Sequence, residues 1–245
     1  MQNNLSNNLS KWGKISAYSR WMYHSYKDYI GRRVLDVGCG IGTMTEYYID
    51  GRDVVVGIDI FQNQIEFMRE KFREKTNFQA MLLDILQVEK MKEKMLEYRF
   101  DTIICINTLE HLENDKQAIL NMKELLAEDG HIIIFVPAMQ RLYCSLDKNV
   151  SHYRRYDKGV LSSLAHECGL EVIKDRYFNF LGIIPYFLRG RLSKDRGESF
   201  SSNLNATNSA VYNFASLILE PIENLVPPPR GLSEVVVMKK TPLPN

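Results

Sequence analysis

The chain has 245 residues, a formal net charge of +1, and 45% hydrophobic against 25% charged residues. That length can bury one good core, and the near-neutral charge balance gives no global field to attract nucleic acid. No run of 18 apolar residues could cross a membrane, the polar opening "MQNNLSNNLSKWGK" does not read as a signal peptide, and Cys39, Cys105, Cys144 and Cys168 form no CxxC pair, so the expectation is a reduced, cytoplasmic protein with neither a zinc knuckle nor a disulfide framework.

From about Leu5 to Tyr29 the spacing predicts one or two helices, with Trp12, Ile15, Ser19 and Met22 on one side. Strands and helices then alternate without an internal repeat. "RVLDVG" is a buried strand, with a helix expected after Gly42. "DVVVGIDI" is a second strand, followed by Phe61, Ile65, Met68 and Phe72 at helical spacing. "FQAMLLDI" is a third strand, and a charged helix follows around Lys90 to Tyr98. "FDTIICIN" is a fourth, then Ile119, Met122 and Leu126 mark a helix, and "GHIIIFVP" is a fifth strand ended by Pro137. Short apolar strands between amphipathic helices predict an α/β domain whose parallel sheet is covered on both faces.

After Pro137 the rhythm changes. "AMQRLYCSLDKNVSHYRRY" is long, aromatic and basic, without clear periodicity. A helix with Leu161, Leu164, Ala165 and Cys168 inward stops at Gly169, and "LEVIKDRYF" is a sixth strand. "NFLGIIPYFLRGRL" reads as an apolar helix with a basic end, "SKDRGESFSSNLNATNSA" as a polar connection, "VYNFASLILEPIENLV" as another helix, and "GLSEVVVMKK" as the last strand. The segments at about 138–156 and 179–230 are expected to cap the same domain, not to form another.

The stretch "VLDVGCGIGTMT" runs from a strand into Gly38, Gly40 and Gly42. A strand that ends in such a turn lets a ligand approach the bare backbone. Four further residues agree with a ligand there. Asp36 lies two residues before Gly38, Asp59 ends the second strand, Asp84 ends the third, and Asn107 follows the fourth. All fall at carboxyl ends of strands, where open α/β sheets bind ligands, and an acid at the position of Asp59 can take two ribose hydroxyls. Nicotinamide dinucleotide is the competing ligand, but its usual turn is GxGxxG and the spacing here is GxGxG. "YHSYK" places Tyr23 four before Lys27, as in a reductase pair, yet it precedes the glycine loop and reads as helix surface.

"VLDVGCGIG", "VVGIDI", "LLDI", "FDTIICINTLEHL" and "EDGHIIIFVP" follow in the order and spacing of the class I S-adenosylmethionine-dependent methyltransferases, which the chain resembles over Val34 to Pro137. "SHYRRY", "CGLEV" and "GLSEVVVMKK" are similar to a bacterial subgroup of these enzymes. The resemblance implies a doubly wound, Rossmann-like α/β fold of seven mainly parallel strands, the last antiparallel, with helical cap insertions. It implies a helical segment over residues 1–30 that covers the cofactor site, and a methyltransferase domain over 31–245. It also implies roles. Gly38, Cys39, Gly40 and Gly42 pass the methionine part of the cofactor. Asp36 orders its ammonium end, Asp59 takes the ribose hydroxyls and Ile60 packs on adenine. Asp84 receives the adenine amino group beside the Ile85 N–H, and the Asn107 backbone approaches the methionine amine.

Methyl transfer from a sulfonium is an in-line displacement, so the protein mainly aligns the reactants and excludes water, an effect worth ~7–11 kcal/mol. A hydroxyl acceptor also needs a base, usually His, and His111 and His152 are the candidates. Glu110 and His111 resemble the metal-binding pattern of some quinone-precursor O-methyltransferases, but that pattern has another acid where this chain has Asn107, so no metal is expected. In "SHYRRY", Arg154 and Arg155 offer planar forks to an anion, and Tyr153 and Tyr156 can close a pocket around it; alternatively the arginines pair with Asp147 or solvent and Asp157 caps the next helix. The expected chemistry is O-methylation of a carboxylate-bearing small molecule or peptide. The alternatives are a hydroxyl or amine on a natural product or lipid-linked sugar, or a non-catalytic cofactor-binding module. The basic apolar stretch 180–196 packs as cap or touches a membrane surface.

Overall fold

The computed structural model describes residues 16–192 and 206–240; Trp12, Ile15 and the stretch 193–205 lie outside them. The Val- and Ile-rich runs form seven strands: β1 (Arg33–Val37), β2 (Val54–Asp59), β3 (Phe78–Leu82), β4 (Phe100–Ile106), β5 (Leu126–Pro137), β6 (Glu171–Phe178) and β7 (Ser233–Lys239). They make one sheet in the order β3-β2-β1-β4-β5-β7-β6. β1 to β5 pair in parallel, and β7 runs antiparallel between β5 and β6, with Ile134 opposite Val236 and Arg176 opposite Val235. The order reverses between β1 and β4, so the carboxyl ends of these two strands flank the crevice where such sheets bind ligands.

The side-chain period of two splits the core into two layers. Leu35, Val37, Val56, Ile58, Ile103 and Ile132 face one layer, closed by α3 (Lys92–Glu97), α4 (Asp115–Leu125) and α6 (Val160–Glu167) through Met95, Ile119, Met122, Leu161 and Ala165. Val34, Val55, Ile104, Ile133 and Val237 face the other, closed by α1 (Ser16–His24) through Trp21 and Met22 and by α2 (Gln62–Lys71) through Ile65 and Met68. Burial on both faces is why runs such as Val55–Ile58, Ile103–Cys105 and Ile132–Val136 are apolar, whereas the half-exposed edge strand β6 carries Glu171, Lys174, Asp175 and Arg176.

Four local expectations differ from the structure. No α-helix follows Gly42; the segment makes only a 3-10 turn at Thr45–Tyr47. Its side chains explain this, because Thr45 and Tyr48 both reach back to the Asp36 carboxylate, and Gly51, at φ 75°, ends the segment. The helix placed over Ile119 and Met122 ends at Leu125, and Leu126 already belongs to β5. β3 stops at Leu82, leaving Asp84 to start a 3-10 turn. Finally, α8 (Ala206–Leu225) begins earlier than the pattern suggests and contains Pro221.

Beyond Pro137, α5 (Ser145–Lys148) and α7 (Ile183–Leu192) enclose a satellite core of Ala138, Met139, Leu142, Leu146, Tyr177 and Tyr186. It sits over the carboxyl end of β5. No helix among the described residues is long and apolar enough to cross a membrane.

Candidate functional site

The three glycines differ in what surrounds them. All have positive φ, at 70° for Gly38, 55° for Gly40 and 71° for Gly42. A Cβ on Gly38 would lie 2.2 Å from Thr108 Oγ1, and one on Gly42 would lie 2.4 Å from Met68 Sδ. These two positions are therefore closed by the protein itself. A Cβ on Gly40 would meet only Gln64 Oε1, at 3.8 Å. Gly40 faces the open crevice, and its backbone is the part of the loop that a ligand can approach. Cys39 turns its buried side chain toward Gly57, and its amide is used by the Ile58 carbonyl (3.1 Å). The loop's cysteine thus serves packing.

The acids line the same edge. Asp36 is buried and accepts from Thr45 Oγ1 (2.7 Å) and from the Tyr48 hydroxyl. Burial pushes its carboxyl up to about 6 against the pull of those two donors. Asp59 accepts from the Gly40 amide (3.0 Å) and the Phe61 amide (3.0 Å), so it holds the glycine loop across the crevice. Burial raises its pKa, opposed by backbone donors of Phe61, Gly40 and Ile60. Ile60 and Phe61, beside it, are more than half exposed. Asp84 caps its 3-10 turn by accepting from the Leu86 amide (2.9 Å), and the Ile85 side chain is core. Asn107 is exposed with φ 49°, and its amide donates to the Phe135 carbonyl (2.7 Å). Gly40, Asp59 and Ile60 thus offer a bare backbone, an acid and an apolar surface side by side, which suits a nucleoside. Thr45, Tyr48 and Thr108 were not singled out by pattern. Only their nearness in the sequence to the glycine turn and to Glu110 could have marked them.

Next to Thr108, and so next to the loop, lies a cluster of titratable groups. Glu110 is 1% exposed, and neither carboxylate oxygen has a hydrogen-bond partner. Burial foremost pushes its pKa up to about 8. His152 Nε2 lies 3.8 Å from Glu110 Oε1, while Nδ1 is paired with Asp147 Oδ1 at 3.0 Å. The His111 and His152 rings meet edge to face at 4.6 Å. His111 keeps an exposed edge, yet loss of solvent and the neighbouring His152 hold its pKa below the usual imidazole value. Two backbone bonds bring the distant segments together, Tyr153 N–H to the Glu110 carbonyl (2.8 Å) and Met139 N–H to the Tyr156 carbonyl (2.9 Å).

The arginines do not form an anion fork. Arg155 is buried, with Nε on Asp147 Oδ1 (2.8 Å), a terminal nitrogen on the Ala138 carbonyl (3.1 Å), and its plane 4.2 Å from the Tyr186 ring centroid. Arg154 pairs with Asp115 Oδ2 (2.6 Å) and donates to the Glu113 carbonyl (2.7 Å). Tyr156 is buried with its hydroxyl on Asp115 Oδ2 (3.0 Å), and only Tyr153 is exposed. The expected anion-binding role is corrected on this point. The segment is a clamp whose buried charges are already matched, and the Arg155–Asp147 pairing is the alternative that the structure realises.

A family model described as a methyltransferase domain matches residues 35–132. The chain is 30% identical over 113 residues to a ubiquinone biosynthesis O-methyltransferase of Glaesserella parasuis, covering 45% of this chain and 47% of that one. It is 32% identical over 162 residues to the Rickettsia canadensis protein of that name, covering 60% and 66%. The chain thus spans only about half the length of the first of these relatives. Among solved structures, the N-methyltransferase NodS from Bradyrhizobium japonicum in complex with S-adenosyl-l-homocysteine aligns with a TM-score of 0.56 at 14% identity, over 92% of this chain and 86% of that one. The [4+2]-cyclase SpnF aligns with a TM-score of 0.59 at 15% identity, over 92% and 80%. At such identities these likenesses concern the fold alone.

Proposed function

We propose that this chain, a member of the class I S-adenosylmethionine-dependent methyltransferases, methylates a hydroxyl oxygen of a small-molecule acceptor held against Glu110, His111 and His152. When bound, S-adenosylmethionine supplies a methyl group activated by its sulfonium. The chain's own residues do the remainder. Gly40 leaves its backbone open, Asp59 is placed for the ribose hydroxyls, Ile60 and Phe61 offer an apolar wall for the base, and Asp36 provides negative charge under the methionine end. Asp84 and the Ile85 amide are assigned to the adenine edge and the Asn107 backbone to the amine, on the resemblance.

The observation that carries the acceptor assignment is the unpartnered, buried Glu110 beside two imidazoles, next to the loop. An acceptor hydroxyl must lose its proton as its oxygen bonds to the methyl and the carbon–sulfur bond breaks, and this cluster receives that proton. A carboxylate acceptor needs no such groups, would be repelled by Glu110 once ionised, and finds both arginines already paired. The relatives named O-methyltransferases support oxygen as the acceptor atom.

The test is incubation with S-adenosylmethionine and matched phenol, alcohol and carboxylic acid acceptors, followed by mass spectrometry. A methyl ether stable to mild alkali is expected. An alkali-labile methyl ester would return the assignment to a carboxylate, and cofactor binding without turnover on any acceptor would favour the non-catalytic module. A second reading concerns what carries the acceptor. Ile184, Phe187 and Leu188 on α7 and Phe214, Leu217 and Ile222 on α8 are exposed, which favours a lipid-linked acceptor over a free one. Co-sedimentation with phospholipid vesicles tests it, and a protein left wholly in the supernatant would remove it.

A further inference from the structure

We infer that a cleft at the free edge of β3 is a binding site for a small organic diphosphate, separate from the crevice assigned to methyl transfer.

β3 ends the sheet, two strands out from β1, and only its β2 side is paired. Beside it opens a cleft of about 370 Å³. Four cations line this cleft: Arg69 from α2, Arg73 and Lys75 from the turn that follows, and Lys94 from α3 on the other face of the sheet. None of the lining residues is an acid. The chain as a whole is nearly neutral, so this is a local concentration of charge.

The four cations retain most of their binding capacity. Lys94 is exposed, and its ammonium has no partner among the described residues. Arg69 gives Nε and one terminal nitrogen to the Ala80 carbonyl (3.1 and 2.9 Å), which fixes the guanidinium at the strand edge without neutralising it. Arg73 faces Glu70 and Glu74, and Lys75 faces Asp50, but every one of these side chains is at least 40% exposed. Exposed pairs of that kind are weak and exchange for a more highly charged anion. Protection of the sheet edge explains Arg69, whose bonds occupy the Ala80 carbonyl, but not the convergence of three further cations on the same cleft.

The pattern of charge and apolar surface selects the ligand. Cations reaching in from both sides of a strand suit an anion with two charged centres, and phosphate oxygens accept from guanidinium and ammonium alike. Phe72, Phe78 and Met81 floor the cleft, the two rings lying 4.8 Å apart. An apolar floor under a polar rim suits an organic group carried on the diphosphate, which an inorganic ion would leave uncovered. The methyl donor does not fit here, because its sulfonium would be repelled by all four cations.

The full chain, with its crevice filled by saturating S-adenosylhomocysteine, is titrated with ADP and with inorganic pyrophosphate by calorimetry at low salt. ADP should bind at one site per chain and more tightly than pyrophosphate, and both should weaken as salt is raised. Arg73→Gln and Lys94→Gln change exposed side chains, and S-adenosylhomocysteine binding and thermal unfolding should match the parent. Each should weaken ADP by about tenfold, the scale of one lost charged hydrogen bond. Absence of saturable binding of both probes to the parent would overturn the site. So would ADP binding that neither variant diminishes, which would place the nucleotide elsewhere. Binding of poly-glutamate by a chain that takes neither diphosphate would overturn it too, making the rim a docking surface for an acidic protein segment. Failure of S-adenosylhomocysteine to bind would count against the methyl-donor reading alone, and the pyrophosphate titration would still decide the cleft.

Discussion

Gly40→Ala and Gly42→Ala should fail in opposite ways, although the two residues stand two apart in one motif. Both have positive φ, so any side chain incurs about 1–2 kcal/mol from the left-handed backbone. For Gly42 a second cost arises, because its Cβ would lie 2.4 Å from Met68 Sδ and 2.7 Å from Phe72 Cε2. Both are buried in the core on the α2 side, and forcing that core apart adds about 1–3 kcal/mol. The sum is about 2–5 kcal/mol, or a fall in midpoint of ~4–20 °C for a chain of this size. At Gly40 the nearest atom to the new methyl is 3.8 Å away, so the fold loses only the backbone term, while the methyl projects into the space assigned to the cofactor. The assay is thermal unfolding of each variant with and without S-adenosylhomocysteine. Gly42→Ala should melt early yet keep a ligand-induced shift, and Gly40→Ala should melt near the parent and lose that shift. Equal destabilisation by the two, or loss of the shift in Gly42→Ala alone, would refute the assignment of Gly40 as the ligand-facing position.

Asp59→Ala should weaken S-adenosylhomocysteine by ~1–3 kcal/mol in calorimetry, since it removes the ribose acceptor and also releases the Gly40 amide; unchanged affinity would sink the ribose role. Arg155→Met should cost about 3–5 kcal/mol in urea unfolding because it strands buried Asp147, whereas Arg154→Met, whose pair with Asp115 is partly solvated, should cost about 1 kcal/mol or less; equal losses would contradict the clamp. Buried Glu234 has no hydrogen-bond partner on either oxygen and only the Lys158 ammonium beside it, at 3.7 Å; burial, then adjacent Asp175, push its pKa up to about 9 against the pull of Lys158. The native state therefore holds a proton that the unfolded chain releases near the ordinary carboxyl value. Stability from this group is full below that value and is lost as pH rises toward 9. Glu234→Gln should flatten the decline seen in unfolding experiments between pH 5 and 9, and an unaltered slope would show that Glu234 is ionised in the fold.

The sheet was legible because its central parallel strands are buried on both faces, so "VVVGI" or "HIIIF" can hardly be anything else between amphipathic helices. The antiparallel last strand was legible only through family resemblance, since "EVVVM" carries no mark of direction. The missing helix after Gly42 shows a limit of local pattern. Thr45 and Tyr48 are compatible with a helix, and what prevents it is the Asp36 carboxylate, nine and twelve residues earlier, that both hydroxyls reach.

The site shows the same limit more sharply. A glycine motif reveals that backbone must come close to something, but not whether the something is a ligand or the protein's own Met68 and Thr108. Arg154 and Arg155 read equally well as a fork for an outside anion or as partners for inside ones. The choice rests on where Asp147 and Asp115 fall, and neither lies at a helical or strand spacing that would announce the pairing. Glu110 and His152 are brought together by a bond between Tyr153 N–H and the Glu110 carbonyl, which no periodicity encodes. Charge in a sequence gives the kind of interaction available; only burial decides which charges are matched within the fold. Arg155 is buried and matched, so it stabilises the cap. Glu110 is buried and unmatched, and a carboxylate left so beside two oriented imidazoles stabilises nothing until a proton, a cation or an acceptor arrives.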